Sequence, residues 1–243
     1  MFASSRVRYL CLILILGSPA SFSQSVASTE CVVLLHGLFR SAFAMKPLEW
    51  RLEHAGYSVV NESYDSTSLP IEELARVAVG QGISDCHARG LDRTHFVTHS
   101  LGGVLVREYA RTNALPASTR VVMLGPPNQG SQVAGYYGSL GLWGEFKPPV
   151  IDQLGENSQA LVERLGPVSF QLGVIAGNLR NSTLIPGFPD QPSDGTVTVA
   201  ETVVPGMMDF LQMPALHTFM IWNPLVWNQT EQFLRFGQFK RDK

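Results

Sequence analysis

Short apolar runs, each closed by a turn and followed by a stretch of helical periodicity, constrain this chain more than any other feature. Cys31-Val32-Val33-Leu34-Leu35 is apolar throughout and stops at His36-Gly37. A strand with one wet face alternates in polarity, whereas a strand covered on both faces reads as an unbroken run. Met45, Leu48 and Leu52 then fall on one side of a helix that Gly56 ends. Tyr57-Ser58-Val59-Val60 reads as a second strand, and Pro70 opens the next helix with Glu72 and Glu73 in its first turn. His95-Phe96-Val97-Thr98 is a third strand, leading directly into a helix over 101–111. Arg120-Val121-Val122-Met123-Leu124 is a fourth, broken by Gly125-Pro126-Pro127. The stretch 131–149 is rich in Gly, Tyr and Leu and shows no regular period. Beyond it the pattern predicts a helix near 158–165, a strand over 169–175, a last strand near 209–213 and a closing helix over 224–236. Alternating strands and helices give an α/β fold: about six mostly parallel strands, helices on both faces and a short cap segment over 131–165. No repeat, low-complexity tract or linker divides residues 28–243, so a single domain is expected.

Composition narrows the partners. With 16% charged residues and a net charge of −2, the chain offers no basic face for nucleic acid and no polybasic patch for anionic lipid. A small-molecule substrate held in a pocket is expected, with at most a transient contact with a lipid interface. No His/Cys cluster with zinc spacing follows the N-terminal segment, so neither a metal nor an organic cofactor is expected.

Residues 1–27 read as an export signal. Arg6 and Arg8 precede a short apolar run over 9–16, and Ser18-Pro19-Ala20 and Ser25-Val26-Ala27 are small-residue cleavage contexts. The run is shorter than the roughly 20 residues a bilayer requires; an uncleaved anchor is the alternative. Cleavage would remove Cys11 and leave a periplasmic or secreted protein with two cysteines. Cys31 opens the first strand and Cys86 closes the helix after the second. A crossover helix runs back toward the strands' starting edge, so both fall at the same end of the sheet. A Cys31–Cys86 disulfide is expected in an oxidising compartment, against the alternative of two buried thiols.

The residues that carry chemistry are gathered at the opposite ends of the strands. Thr98-His99-Ser100-Leu101-Gly102-Gly103 stands between a strand and a helix, where a tight turn lifts a serine Oγ clear of the sheet. Small residues are needed two positions either side of that serine. Gly102 meets the demand, while Thr98 replaces the usual glycine; a serine N-cap is the plain alternative. An oxyanion formed during acyl transfer needs backbone N–H donors. Leu101 supplies one, at the helix start. The loop after His36-Gly37 supplies another, Leu38, with Gly37 permitting close approach. His36 itself is read as structural. Of six histidines only His217 lies beyond His99, and the base must come late in the order serine, acid, histidine. For the acid, Ser193-Asp194-Gly195-Thr196-Val197 offers a turn that aims Asp194 inward. Asp190, Glu201 and Asp209 remain rivals. Tyr136, Tyr137, Leu140, Leu142, Trp143 and Phe146 either line a cap over an acyl chain or pack as ordinary cover.

Taken together, His36-Gly37-Leu38, Thr98-His99-Ser100-Leu101-Gly102-Gly103, Pro126-Pro127-Asn128-Gln129-Gly130-Ser131, Asp194-Gly195-Thr196-Val197 and His217 resemble bacterial lipases and esterases of the α/β-hydrolase superfamily. The likeness extends to the small lipase-like branch akin to GPI-inositol deacylases. The proline-asparagine stretch is similar to a signature that leads into a cap in that family. The resemblance implies a serine hydrolase that cleaves acyl esters through Ser100, His217 and Asp194. The same constellation on this fold also serves amide, thioester and phospholipid acyl groups and acyl transfer. A non-catalytic binding or assembly protein would share the fold without needing these residues.

Overall fold

The computed structural model describes residues 29–141, 143–181 and 190–241. The proposed signal segment and Leu142 lie outside them.

Six strands form one sheet in the order β2-β1-β3-β4-β5-β6, and every neighbouring pair is parallel. They are β1 (Glu30–Leu35), β2 (Ser58–Asn61), β3 (Arg93–His99), β4 (Arg120–Leu124), β5 (Gln171–Gly177) and β6 (Asp209–Met213). The double covering read from the first apolar run is visible residue by residue. Val33 and Leu35 point into one core, Val32 and Leu34 into the other, and all four are fully buried. The period of two thus divides one unbroken run between two hydrophobic layers.

On the first face lie α2 (Ile71–Leu74), a π-helical turn (Ala75–Val79), α3 (Gly80–Ala88) and α4 (Leu101–Thr112). Gly82 is required there: a Cβ would meet Val33 Cγ1 at 2.5 Å, so any side chain would push the helix off β1. On the second face α1 (Ala42–His54) contributes Met45, Leu48 and Leu52, and α9 (Pro224–Phe236) contributes Phe233 and Leu234. Each such large apolar side chain stabilises the fold by roughly 1.5–3 kcal/mol through burial. The bounds of α9 follow from its ends. Asn223 accepts from Leu225 N–H, Pro224 occupies the first turn, and Gly237 takes φ +72° after the last.

Two expectations need correction. The stretch 131–149 is not irregular: α5 (Gln132–Ser139) and a 3-10 turn (Gly144–Phe146) form within it, followed by α6 (Pro149–Leu154) and α7 (Ser158–Leu165). Glycines at 135 and 138 hide the helical period of α5, yet Ser131 caps it by accepting from Ala134 N–H. The fifth strand starts at Gln171 rather than 169, because its register with β4 begins at the Arg120–Gln171 pair. The element α8 (Val199–Thr202) and a 3-10 turn (Met220–Trp222) complete the set among the described residues.

Cys31 and Cys86 are joined as a disulfide, with Cα atoms 5.9 Å apart, at the amino-terminal edge of the sheet. No helix of the described residues is long and apolar enough to cross a membrane.

Candidate active site

Ser100 stands at the carboxyl-terminal edge of β3, immediately before α4. Its φ of +54° is a left-handed conformation that a non-glycine residue rarely adopts, as a strand-to-helix elbow requires. The turn is held by its own N–H donating to Leu124 O at 2.9 Å. A Cβ at Gly102 would sit 2.7 Å from Leu35 O, which explains why the position after the elbow admits only glycine. Two residues before the serine, Thr98 is fully buried between Leu35 and Met123 in the neighbouring strands. The elbow therefore accommodates a threonine in place of glycine, but the Thr98 Oγ1 is left without a hydrogen-bond partner among the described residues.

The loop after β1 comes up beside the elbow. A Cβ on Gly37 would lie 3.0 Å from Ser100 Cβ and 3.0 Å from His99 Nδ1. Arg40 N–H closes a turn onto Gly37 O at 3.2 Å, with Phe39 at φ +57°. Phe39 N–H donates to Ser66 Oγ at 3.1 Å and so is engaged, whereas Leu38 and Leu101 both line the pocket with Ser100. His36 turns away. Its Nδ1–H donates to Gly37 O, its ring stacks on Tyr64 at 4.0 Å, and burial lowers its pKa. Tyr64 O–H in turn donates to His36 O. His36 is thus a brace for the loop.

Asp194 and His217 meet at the same edge. His217 Nδ1–H donates to Asp194 Oδ2 at 2.6 Å, and His217 N–H to Asp194 O at 2.9 Å. The other carboxylate oxygen accepts from the N–H groups of Thr196 (2.9 Å) and Val197 (2.7 Å), the turn that Gly195 allows with φ +97°. The Asp194 side chain is fully buried and His217 is 11% exposed, so the pair is shielded but the ring is reachable.

None of the rivals is a hydrogen-bond partner of His217 among the described residues. Asp209, at the start of β6, holds Arg241 and Phe239 N–H at the opposite edge. Glu201 caps the turn at Thr198 and accepts from Gln132 N–H at 2.7 Å. Asp190 is exposed.

Three contributors escaped the sequence reading. Gly125 has φ +55°, and a Cβ there would lie 2.8 Å from Asp194 Oδ2 and 3.2 Å from His217 Nδ1. At Gly177 a Cβ would lie 2.6 Å from Asp194 Cβ. Both glycines end strands, and that position was their only signal. His99 packs under His217, with ring centroids 4.6 Å apart, and its Nε2–H donates to His217 O at 2.9 Å. Burial foremost, and then the neighbouring His217 charge, hold the His99 imidazole well below its usual pKa and hence neutral.

These groups open into a pocket of about 400 Å³. One wall is the elbow and the loop after β1. The other comes from the cap segment, through Val133, Ala134, Tyr137, Ile151 and Leu154. Of the aromatic cluster singled out above, Tyr137 and Trp143 line it, and Trp143 stacks on Phe39 at 5.7 Å. Tyr136 packs edge-on against Tyr137, while Leu140 and Phe146 face solvent. Among the described residues, no group of three or more His, Cys, Asp or Glu side chains is placed to hold a metal ion.

Comparisons with known proteins agree with this architecture. The model of a family described as "Alpha/beta hydrolase family" matches residues 32–236. No curated protein matches the chain. Among solved structures, a lipase of Bacillus licheniformis, BlEst2 in mature form, is 16% identical with a TM-score of 0.67, over 91% of this chain and 96% of that one. The phospholipase PlaB from Legionella pneumophila is 22% identical with a TM-score of 0.55, over 72% of this chain. The match spans only 45% of that phospholipase. The metagenomic carboxyl esterase MGS0156 is 22% identical with a TM-score of 0.53, over 83% of this chain and 68% of that one. At these identities the likeness concerns the fold.

Proposed function

The chain belongs to the alpha/beta hydrolase family, and we propose that it is a serine hydrolase that cleaves carboxylic esters through an acyl-enzyme on Ser100. The observation that carries this reading is the hydrogen bond from His217 to Asp194 at the mouth of the pocket that Ser100 lines. Because Nδ1 holds the proton donated to the carboxylate, Nε2 keeps its lone pair and is the atom able to accept one from Ser100.

In this mechanism Ser100 Oγ attacks the ester carbonyl carbon while His217 Nε2 takes the hydroxyl proton. Asp194 stabilises the imidazolium as it forms. The N–H groups of Leu38 and Leu101 receive the developing oxyanion, and each such donor is worth about 10²–10³ in rate. His217 returns the proton to the departing alkoxide. A water deprotonated by the same nitrogen then releases the acid and frees Ser100. The apolar cap wall suits an aliphatic acyl group, which is why an ester or lipid substrate is favoured over a peptide. Export belongs to the same proposal, supported by the oxidised Cys31–Cys86 pair.

Hydrolysis of p-nitrophenyl esters of increasing chain length by wild type and Ser100→Ala tests the proposal. Ester cleavage is expected to fall by about 10⁴-fold or more in the variant, and a fluorophosphonate is expected to label only the wild type. Transfer to an added alcohol in preference to water would move the protein to the acyltransferases. Equal inertness of both proteins, without labelling, would leave a binding role.

A further inference from the structure

The pocket is apolar on nearly every side, and Arg40 breaks that pattern. Among the described residues, it is the one permanently charged side chain lining the pocket. Several surface arginines are matched to carboxylates, Arg51 and Arg235 to Glu231, Arg164 to Glu72, Arg241 to Asp209, while Arg76, Arg89 and Arg180 pair with none among the described residues but lie away from the pocket. Arg40 has no such partner among the described residues. Its Nη2 donates to Thr218 Oγ1 at 3.0 Å, which leaves the rest of a five-donor fork without a partner among the described residues. The fork is also held in place. Arg40 N–H is fixed to Gly37 O, Phe39 before it is locked by Ser66, and Thr218 follows the base His217 directly. Its charge reaches inward as well: after burial and His217 it helps to lower the His99 pKa, against the hydrogen bond to His217 O, which raises it.

The position of this cation relative to the chemistry identifies which half of a substrate it would meet. When the tetrahedral intermediate collapses, the carbon–oxygen bond to the alcohol breaks and His217 Nε2 delivers its proton to that oxygen. The alcohol half must therefore lie against His217, and so beside Thr218 and Arg40. The acyl half is left to the cap wall of Val133, Ala134, Ile151 and Leu154.

Resting on the ester-hydrolase reading above, we propose that Arg40 recognises an anionic group on the alcohol half of the substrate, a phosphate or a carboxylate a few bonds from the ester oxygen. A planar guanidinium matches both anions with paired N–H donors. Because Arg40 is exposed, this recognition weakens as salt rises.

The test is a set of butyryl esters that share an acyl group and differ in the alcohol: glycerol (neutral), glycerol 3-phosphate, lactate (a carboxylate) and choline (a cation). Methyl hemisuccinate, with its charge on the acyl side, is the control for position. Wild type should prefer the phosphate and lactate esters over the glycerol ester by about tenfold in kcat/KM at low salt, and should show no such gain for methyl hemisuccinate. The order of the two anionic esters separates a phosphorylated alcohol from a hydroxy acid as the source. In Arg40→Gln the ratio of anionic to neutral ester should collapse to about one, and in Arg40→Glu the choline ester should become the better substrate. Ratios within one protein are unaffected by any fraction that fails to fold.

A wild-type ratio near one, or a preference that survives Arg40→Gln, overturns the inference while leaving the hydrolase intact. Hydrolysis that survives Ser100→Ala overturns the Ser100 acyl-enzyme reading instead. Binding of glycerol 3-phosphate to the Ser100→Ala protein, against glycerol, reads Arg40 without turnover. Loss of that binding in the double variant with Arg40→Gln supports the inference, and binding indifferent to Arg40 defeats it.

Discussion

The two edges of the sheet are built on opposite rules. At the amino-terminal edge everything is tied down. Cys31 is bonded to Cys86, Arg93 pairs with Glu30, and Asp209 holds Arg241 and Phe239 N–H. Arg120 there donates to the last carbonyls of α9 at Leu234 and Arg235. At the carboxyl-terminal edge the chain stores strain. The two non-glycine residues with positive φ among those described, Phe39 and Ser100, both lie there, and Gly125 and Gly177 are kept bare to make room for Asp194 and His217. A strained left-handed residue costs on the order of 1–3 kcal/mol and persists only where its surroundings over-determine it. The restraints at one edge and the two buried layers between are what allow the other edge to be arranged for chemistry.

Substitutions that separate stability from activity test this contrast. The largest effect belongs to Asp194→Asn, which keeps an oxygen for Thr196 and Val197 but loses the carboxylate beneath His217. Ester hydrolysis is expected to fall by about 10⁴-fold, with a thermal midpoint close to wild type. A comparable loss of stability instead would show that the carboxyl-terminal edge is also a scaffold. At the opposite edge, Cys31→Ala with Cys86→Ala opens a loop of 55 residues. Denaturant unfolding should then show a loss of about 4 kcal/mol, with kcat unchanged in the protein that remains folded.

Glu62 sharpens the comparison, because it is a buried carboxylate beside the chemical edge. Burial first, and the Asp85 carboxylate second, push its pKa from 4.5 up to about 7, against a smaller opposing effect of Arg89. A raised folded pKa means that its contribution is complete below pH 4.5 and is lost as pH rises through about 7. Glu62→Gln should therefore flatten the stability profile over that window and stabilise the protein at pH 8 by about 1–3 kcal/mol. An unchanged profile would remove Glu62 from the account. The smallest effect is at Thr98→Val, which deletes the partnerless hydroxyl without changing shape. A gain of about 1 kcal/mol in unfolding free energy is expected, and a loss would mean that Thr98 Oγ1 has an acceptor in solution.

Much of this was legible in the chain itself. The strands could be read because burial on two faces writes an unbroken apolar run. Ser100 could be read because its elbow needs Gly102 and a strand-helix junction. His217 stood alone late in the chain. The α5 helix was not legible, since Gly135 and Gly138 mask its period and its fixed point is the cap at Ser131. For the acid, the turn at Gly195 and the chain order favoured Asp194 over Asp190, Glu201 and Asp209, but local pattern could not show which of these carboxylates reaches His217.

The sequence by itself determined the order of strands and helices, the edge at which the chemistry stands and the residue types brought to it, because periodicity and turn propensity act over a few neighbours. Tertiary structure decided which carboxylate meets His217, that Arg40 borders the pocket beside Thr218, and that Gly125 and Gly177 must remain glycine. Those outcomes depend on distances between segments far apart in the chain, and they exist only once the sheet has brought its strand ends to one edge.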